Sequence, residues 1–390
     1  MISVEEALSH LFELAAPTGT ETVPLIEAAG RVLAEDAVAS RNQPPFAASA
    51  MDGYAIIGAE ADLHAQFKVI GESAAGHGFE GTLKPGQAVR IFTGAPMPEG
   101  ASHVVIQEDT QRTGDLVTIV APQEGGNNVR EQGTDFRIGD SLAAPRRLTP
   151  ENVALLAAMN ISRVHVHKRP TVALISTGDE LVMPGESPGP DQIIASNTFG
   201  LHALLRNLGA EPRLLPIARD NRESLETAFA LARGSDLVVT IGGASVGDHD
   251  IVGDVAEALG MSRAFYKIAM RPGKPLMAGR MGSAIMVGLP GNPVSAMVCG
   301  HVFLAPVIRA MQGLGAAANP EHTARLAAPL AANGPRQHYQ RAHVENGEIR
   351  VFDRQDSALL SVLSQANALA VSPPNAAAQP AGASIRYLPI

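Results

Sequence analysis

Between about residue 169 and residue 318 the chain alternates short, continuous apolar runs with apolar stripes of 3.6-residue period, and this alternation restricts the fold more than any other feature. TVALIST reads as a buried strand. Leu201, Leu204, Leu205 and Leu208 form a helix stripe that ends at Gly209, and Leu214 to Ile217 supply the next strand. Leu225, Ala228, Phe229 and Ala232 repeat the stripe before DLVVTIGG gives a third strand. Val252, Val255, Ala256 and Leu259 do so again up to Gly260, FYKIAM, PLMAG and AIMVGLPG offer further strands, and a long helix is expected from Pro293 to about Met311. Strands apolar on both faces and separated by helices are expected to assemble into a doubly wound α/β sheet.

The flanking segments follow other periods. Ser3 and Glu6 have capping-box spacing ahead of Val4, Ala7, Leu8 and Leu11, which predicts an opening helix. A second helix is expected from Pro24 to about Ala29, stopped by Gly30, with RVLAEDAVAS as a strand leading away. From Pro44 to about Asp135, short alternating pieces such as FKVIGE, QAVRIFTG and SHVVIQED are punctuated by Gly and Pro, as in an all-β domain. Thr149 before Pro150 marks a helix start, with Val153, Leu156 and Ala157 expected to be buried. After GLGAAANP, the last 70 or so residues read as a small β domain.

A length of 390 residues implies several folding units. The formal net charge of -9 disfavours non-specific nucleic-acid binding, so an anionic ligand needs a local basic site or carboxylates that recruit a divalent cation. The single cysteine, Cys299, has no intramolecular partner, and the acidic amphipathic N-terminus is unlike a signal peptide; a cytoplasmic setting is expected. No apolar run is expected to approach the roughly 18 residues that span a bilayer, so no membrane association is expected.

Candidate chemistry collects at strand ends. Gly242-Gly243-Ala244-Ser245-Val246-Gly247 follows DLVVTI, where free backbone N–H groups and a helix N-terminus favour an anion; a tight connection explains the same string. Asp248 and Asp250 follow directly, Thr177, Asp179 and Glu180 follow the first strand, and Asp220 follows the second. Carboxylates gathered at one sheet edge repel one another unless a cation lies among them, and Mg²⁺ accepts hard oxygen ligands and bridges phosphates. For Asp220, helix cap and metal ligand are equally open. Lys267 with Arg271-Pro272-Gly273-Lys274-Pro275 displays three cations around a turn stiffened by proline. In Leu289-Pro290-Gly291-Asn292-Pro293, Asn292 and Pro293 suit a helix start, and Pro290 adds a rigid wall at the sheet edge. Asp52 in SAMDGY and Thr93 in TGAP read equally as loop residues. His165 and His167 share a strand face without a third ligand, which suits a structural role.

Taken together and in order, SAMDGYAI, TGAPMP with HVVIQED, VREQGTDFRIGD, STGDEL, TIGGASVGDHD, RPGKP and LPGNPVS resemble the MoeA family over nearly the whole chain. Relatives include the E domain of gephyrin and that of its plant counterpart. The resemblance implies a segmented N-terminal dimerisation domain (1–46 plus 136–168), an inserted β domain (47–135), a MogA-like α/β domain (169–318) and a C-terminal, barrel-like β domain (319–390). It implies a homodimer whose cleft lies between the α/β and C-terminal domains of one subunit and the β domain of the other.

By motif, the resemblance carries over Asp52, Thr93, Asp135, Glu180 and Asp250 as catalytic residues. It makes Gly242, Gly243, Ser245, Lys267, Arg271, Lys274, Pro290, Pro293 and Ser361 substrate-binding, and Asp220, Asp250 and Glu180 ligands of Mg²⁺. Arg271 departs from the family's lysine, putting a bidentate fork where a point charge is expected. The implied reaction is insertion of molybdate into adenylylated molybdopterin with Mg²⁺-dependent release of AMP, the substrate coming from a MogA-like adenylyltransferase. The rivals are that adenylyltransferase activity itself, which the extra domains disfavour, and a non-catalytic scaffold like gephyrin.

Overall fold

The computed structural model describes residues 1–123, 125–243 and 251–390. The central stretch forms a six-stranded sheet in the order Glu211–Leu214, Thr171–Ser176, Leu237–Ile241, Ala284–Leu289, Met277–Met281, Met261–Tyr266. The first four strands run parallel, Met277–Met281 runs against them, and Met261–Tyr266, antiparallel to that strand, runs with the first four. Val172 to Ile175 and Leu237 to Val239 are all buried, because helices cover both faces. Helices Asn197–Asn207 and Pro293–Met311 pack on one side, Arg222–Leu231 and Ile251–Ala258 on the other. Chain order reverses between Thr171–Ser176 and Leu237–Ile241, and this opens a crevice at their carboxyl ends.

Two expectations for this unit change. The second strand is Glu211–Leu214 rather than Leu214 to Ile217. Leu215 N–H still donates to Leu174 O at 2.9 Å, but Pro216 has no N–H with which to extend the ladder. The long helix does form, with one π turn at Gly300–Leu304. Pro306 has no N–H to give Val302, and Ala305 N–H reaches back to Gly300 O. Against expectation, Pro293–Met311 is long and apolar enough to cross a membrane, with a mean hydropathy of 1.6 over 18 of its 19 residues. Its apolarity has a place in the core, where Val294, Val298, Phe303, Val307 and Ile308 are buried against the sheet.

The opening helix, Val4–Leu14, has the predicted capping box. It buries Val4, Ala7, Leu8 and Leu11 in the α/β core instead of joining the sheet that follows it in sequence. That four-stranded sheet runs Thr20–Pro24, Arg163–His167, Val32–Leu33, Arg146–Arg147. The helix expected at Pro24 is a single 3₁₀ turn, Leu25–Glu27, because the β-branched Thr20, Thr22 and Val23 pair as a strand with Arg163–His167. RVLAEDAVAS divides into Val32–Leu33 and Ala37–Val38. Pairings of Ala37–Val38 with Ser141–Leu142, and of Ala48–Ser49 with Val129–Arg130, tie the chain before the β insert to the chain after it. Helix Pro150–Ala158 is capped by Thr149 and buries Leu156, whereas Ala157 is exposed and Met159 takes its place in the core.

The insert is a six-stranded sheet in the order His103–Ile106, Gly53–Ile56, Gln87–Ile91, Gln66–Ser73, Leu116–Ile119, Thr110–Thr113. In the C-terminal region Gln337–Glu345 pairs with both Glu348–Val351 and Ala368–Ser372, so the sheet closes on itself like a barrel. The architecture is thus a doubly wound α/β unit combined with an inserted β sheet, a segmented N-terminal sheet and a barrel-like C-terminal sheet.

Candidate functional site

The crevice at the strand-order reversal is a cavity of about 610 Å³ lined by Thr177, Glu180, Asp220, Gly242, Gly243 and Pro290 among others. Gly242 and Gly243 have φ of 106° and 62°, where a side chain is strained. A Cβ on Gly242 would lie 2.5 Å from Thr177 O, and one on Gly243 2.3 Å from Val252 Cγ2. Bare backbone therefore faces the cavity, the surface that suits an approaching phosphate.

Of the two roles left open for Asp220, the helix cap falls to its neighbour. It is Asn221 whose side chain accepts the Ser224 N–H at 2.9 Å and caps the helix, so Asp220 is left to line the cavity beside Glu180. Arg219 fastens this edge. Its guanidinium donates to the carbonyl oxygens of Gly178, Asp179 and Leu181, and Asp220 N–H donates to Asp179 Oδ1 at 3.2 Å. Asp179 is thereby a structural acceptor.

Through a shared wall of Pro275, Pro290 and Asn292 the crevice adjoins a second cavity of about 300 Å³, lined by the cations Arg271, Lys274 and Arg336. Strand pairing builds it. Met270–Arg271 runs parallel to Gln337–His338, which splices the cation turn onto the C-terminal sheet. Gly273 at φ 109° lets that turn lie on Cys299, since a Cβ there would be 2.6 Å from the sulfur. Cys299 itself is buried and burial pushes its thiol up, so it packs as inert core.

The opposite wall is the loop of Gln355, Asp356 and Ser357. Arg341, 1% exposed, holds that loop from below by donating to Gln355 Oε1, Asp356 O and Leu359 O at 3.2, 2.9 and 3.3 Å. The motif reading missed Arg219, Arg336, Arg341 and Ser357. For Arg341 a signal existed: it shares the inward period-2 face of its strand with Tyr339, where an unexplained charge needs partners.

The cation cluster affects a neighbouring histidine. His338 is lowered from 6.5 to about 4, first by burial and then by the charges of Arg271, Arg336 and Arg341. His301 is also lowered to about 4, by burial. Because both folded values are depressed, the unfolded chain takes up these protons first. Stability is full above about pH 6.5 and falls as pH drops toward 4. The urea midpoint should therefore be lower at pH 5 than at pH 7, and His338→Gln should flatten that dependence; an equally steep profile in the variant would refute the assignment.

Other expected site residues lie elsewhere. Lys267 does not line either cavity: its Nζ is 4.8 Å from the centre of the Tyr266 ring. Its backbone, at φ 68°, bonds to Leu276 and Ile2. Ser361 is exposed on the short helix Leu360–Leu363, and Ser357 occupies the cavity wall instead. Pro290 and Pro293 both line the crevice.

Asp52 and Thr93 meet on the β insert, where Asp52 Oδ1 accepts the Thr93 N–H at 2.7 Å and its hydroxyl at 2.8 Å. These bonds, the backbone one first, hold the Asp52 carboxyl below the usual range. Asp135 is exposed, its N–H donating to Gln43 O. None of Asp52, Thr93 and Asp135 lines the two cavities of this chain. Ser245 and Asp250 lie outside the described residues. His165 and His167 bond to Thr22 Oγ1 and Thr18 O, which supports their structural reading.

Family models match in chain order: the MoeA N-terminal region (domain I and II) over residues 2–160, a probable molybdopterin binding domain over 173–310, and the MoeA C-terminal region (domain IV) over 323–390. A molybdopterin molybdenumtransferase of Nostoc sp. is 37% identical over 96% of this chain and 90% of its own length. One from Haemophilus influenzae is 38% identical over 84% of this chain and 82% of its own. A solved molybdopterin biosynthesis MoeA protein from Pyrococcus horikoshii, 28% identical, superposes with a TM-score of 0.85 over the whole of both chains. With three matched regions spanning its length and relatives alike from end to end, this chain belongs to the MoeA family.

Proposed function

We propose that this chain is a molybdopterin molybdenumtransferase, an enzyme that inserts molybdate into adenylylated molybdopterin and releases AMP. The observation that carries the reading is the shared wall: a crevice of bare glycine backbone and two carboxylates opens beside a pocket with three cations. The first suits a phosphoanhydride and the second a compact oxyanion, so the two reactants would lie on either side of Pro275 and Pro290. Arg271 and Lys274 hold molybdate, and Arg336 adds a third positive charge. Relatives named as molybdenumtransferases support the chemistry.

Mg²⁺ fits this donor set in one specific way. Among the described residues no group of three or more His, Cys, Asp and Glu side chains is gathered to hold a metal. Magnesium commonly takes one or two carboxylates and completes its shell with water and substrate phosphate, so Glu180 and Asp220 suffice as protein ligands, with Asp250 as a third candidate. When bound, the ion supplies charge neutralisation at the pyrophosphate. Gly242 and Gly243 would orient the phosphates, and Arg271 and Lys274 would hold molybdate across the shared wall from them.

The location of Asp52, Thr93 and Asp135 away from both cavities supports a homodimer in which the β insert of one subunit completes the cleft of the other. The segmented, inserted, α/β and C-terminal domains take the bounds given above. Adenylylated substrate would come from a MogA-like adenylyltransferase in the cytoplasm.

The test is AMP release from adenylylated molybdopterin with Mg²⁺, with and without molybdate. Molybdate-dependent release by the wild-type protein, lost in Asp220→Ala, is the expected outcome. No release, or release indifferent to molybdate, would sink the reading.

A further inference from the structure

On the far side of Ser196 and Asn197 from the crevice lies a third cavity, of about 370 Å³, which the reading above does not use. Three parts of the chain build it: Gly200 on helix Asn197–Asn207, Met297 and His301 on the long core helix, and Leu360, Leu363 and Ile390 from the C-terminal region. Its side chains contrast with those of the cation pocket. None is Lys, Arg, Asp or Glu, and the one titratable side chain, His301, is neutral at pH 7 because burial lowers it to about 4. Among the described residues the His301 imidazole makes no hydrogen bond. The ring is thus a free donor and acceptor at an otherwise apolar wall.

Gly200 shapes the opposite side. A Cβ there would lie 2.8 Å from Met297 Sδ, so the thioether lies against bare backbone and presents a flat, polarisable surface. Apolar walls with a few polar groups, in a volume of this order, suit a planar ring with polar edges. Asn197 joins the two cavities. Its amide donates to Gly291 O at 2.7 Å, in the turn that walls the crevice, which fixes the side chain as a pivot between them.

We infer that this cavity holds an uncharged, planar nitrogen heterocycle of the same ligand whose phosphates occupy the crevice, the ligand bending around Asn197. The inference rests on the transferase reading, because adenylylated molybdopterin carries two such rings, adenine and pterin, one on each side of its phosphates. Both have a flat face and edge donors and acceptors, which is the chemistry that Met297 and His301 match. The charged pocket beyond Pro275 stays with molybdate.

The experiment fills the cavity with Ala366→Phe, at its rim, and titrates wild type and variant with AMP, with the fluorescent 6-hydroxymethylpterin and with molybdate. The expected result is binding of one heterocycle weakened by about tenfold or more, with molybdate binding unchanged. Loss of AMP assigns the adenine, and loss of the pterin assigns the pterin. Wild-type binding of both rings that Ala366→Phe leaves intact overturns the cavity and spares the transferase reading; a wild type that binds neither ring overturns both. Should Ala366→Phe not fold, Ser364→Phe blocks the same mouth from an exposed position and is scored in the same way.

Discussion

Arg271→Met combined with Lys274→Met should lower molybdate-dependent AMP release by about 10³-fold or more, with the half-saturating molybdate concentration rising far more than that of the adenylylated substrate. The two side chains converge on one small cavity whose remaining cation is Arg336, and they face Asp356 across it. Removing both leaves an anion facing a carboxylate and a single positive charge. The turn that carries them is fixed by backbone pairing with Gln337–His338 and by the contact of Gly273 with Cys299, so neither replacement disturbs how it is held. Arg271→Lys, which keeps the charge and loses the fork, should cost much less. Measured rates within about tenfold of wild type for the double variant would show that molybdate is bound elsewhere.

The contrast between what the sequence reveals of this pocket and what it hides has a physical basis. Glycine and proline around Arg271 and Lys274 mark a turn, because proline fixes φ and Gly273 supplies the positive φ that other residues avoid, and the turn is found at the cavity. The apolar alternation after residue 169 likewise specifies a doubly wound sheet, since strands buried on both faces have few other ways to fold. Arg336, Arg341 and Ser357 carry no local signature. They reach the site only because Gln337–Glu345 pairs with Met270–Arg271 at one end and closes the C-terminal sheet along its length, and pairing between segments so remote is not written in either one. Lys267 shows the opposite failure. A cation four residues before Arg271 looked like part of the turn, but a left-handed backbone turns its side chain over Tyr266. Ser361 fails by four residues, because Val294 N–H bonds to Ser357 O and draws Ser357, not the helix after it, into the cavity wall. The helix expected at Pro24 fails for a third reason: local propensity yields to a strand partner that arrives about 140 residues later.

Asp52→Ala and Asp220→Ala proteins, each expected to retain about 1% of activity or less, should recover about one quarter of the wild-type rate when unfolded together and refolded as a mixture. Asp220 lines the crevice, whereas Asp52 is held by Thr93 on the β insert and lines neither cavity of its own chain. A cleft completed by the partner's insert turns this separation into a rule for mixing. Half of randomly paired dimers carry one variant of each kind. In such a dimer both lesions fall in one cleft, and the other cleft has Asp52 and Asp220 intact. Half of the dimers with half of their clefts active gives the quarter. If Asp52 instead served its own chain, every cleft would contain one lesion and mixing would recover nothing. Recovery in a monomeric preparation would equally exclude the shared cleft, so activity is to be read alongside the mass of the species that carries it.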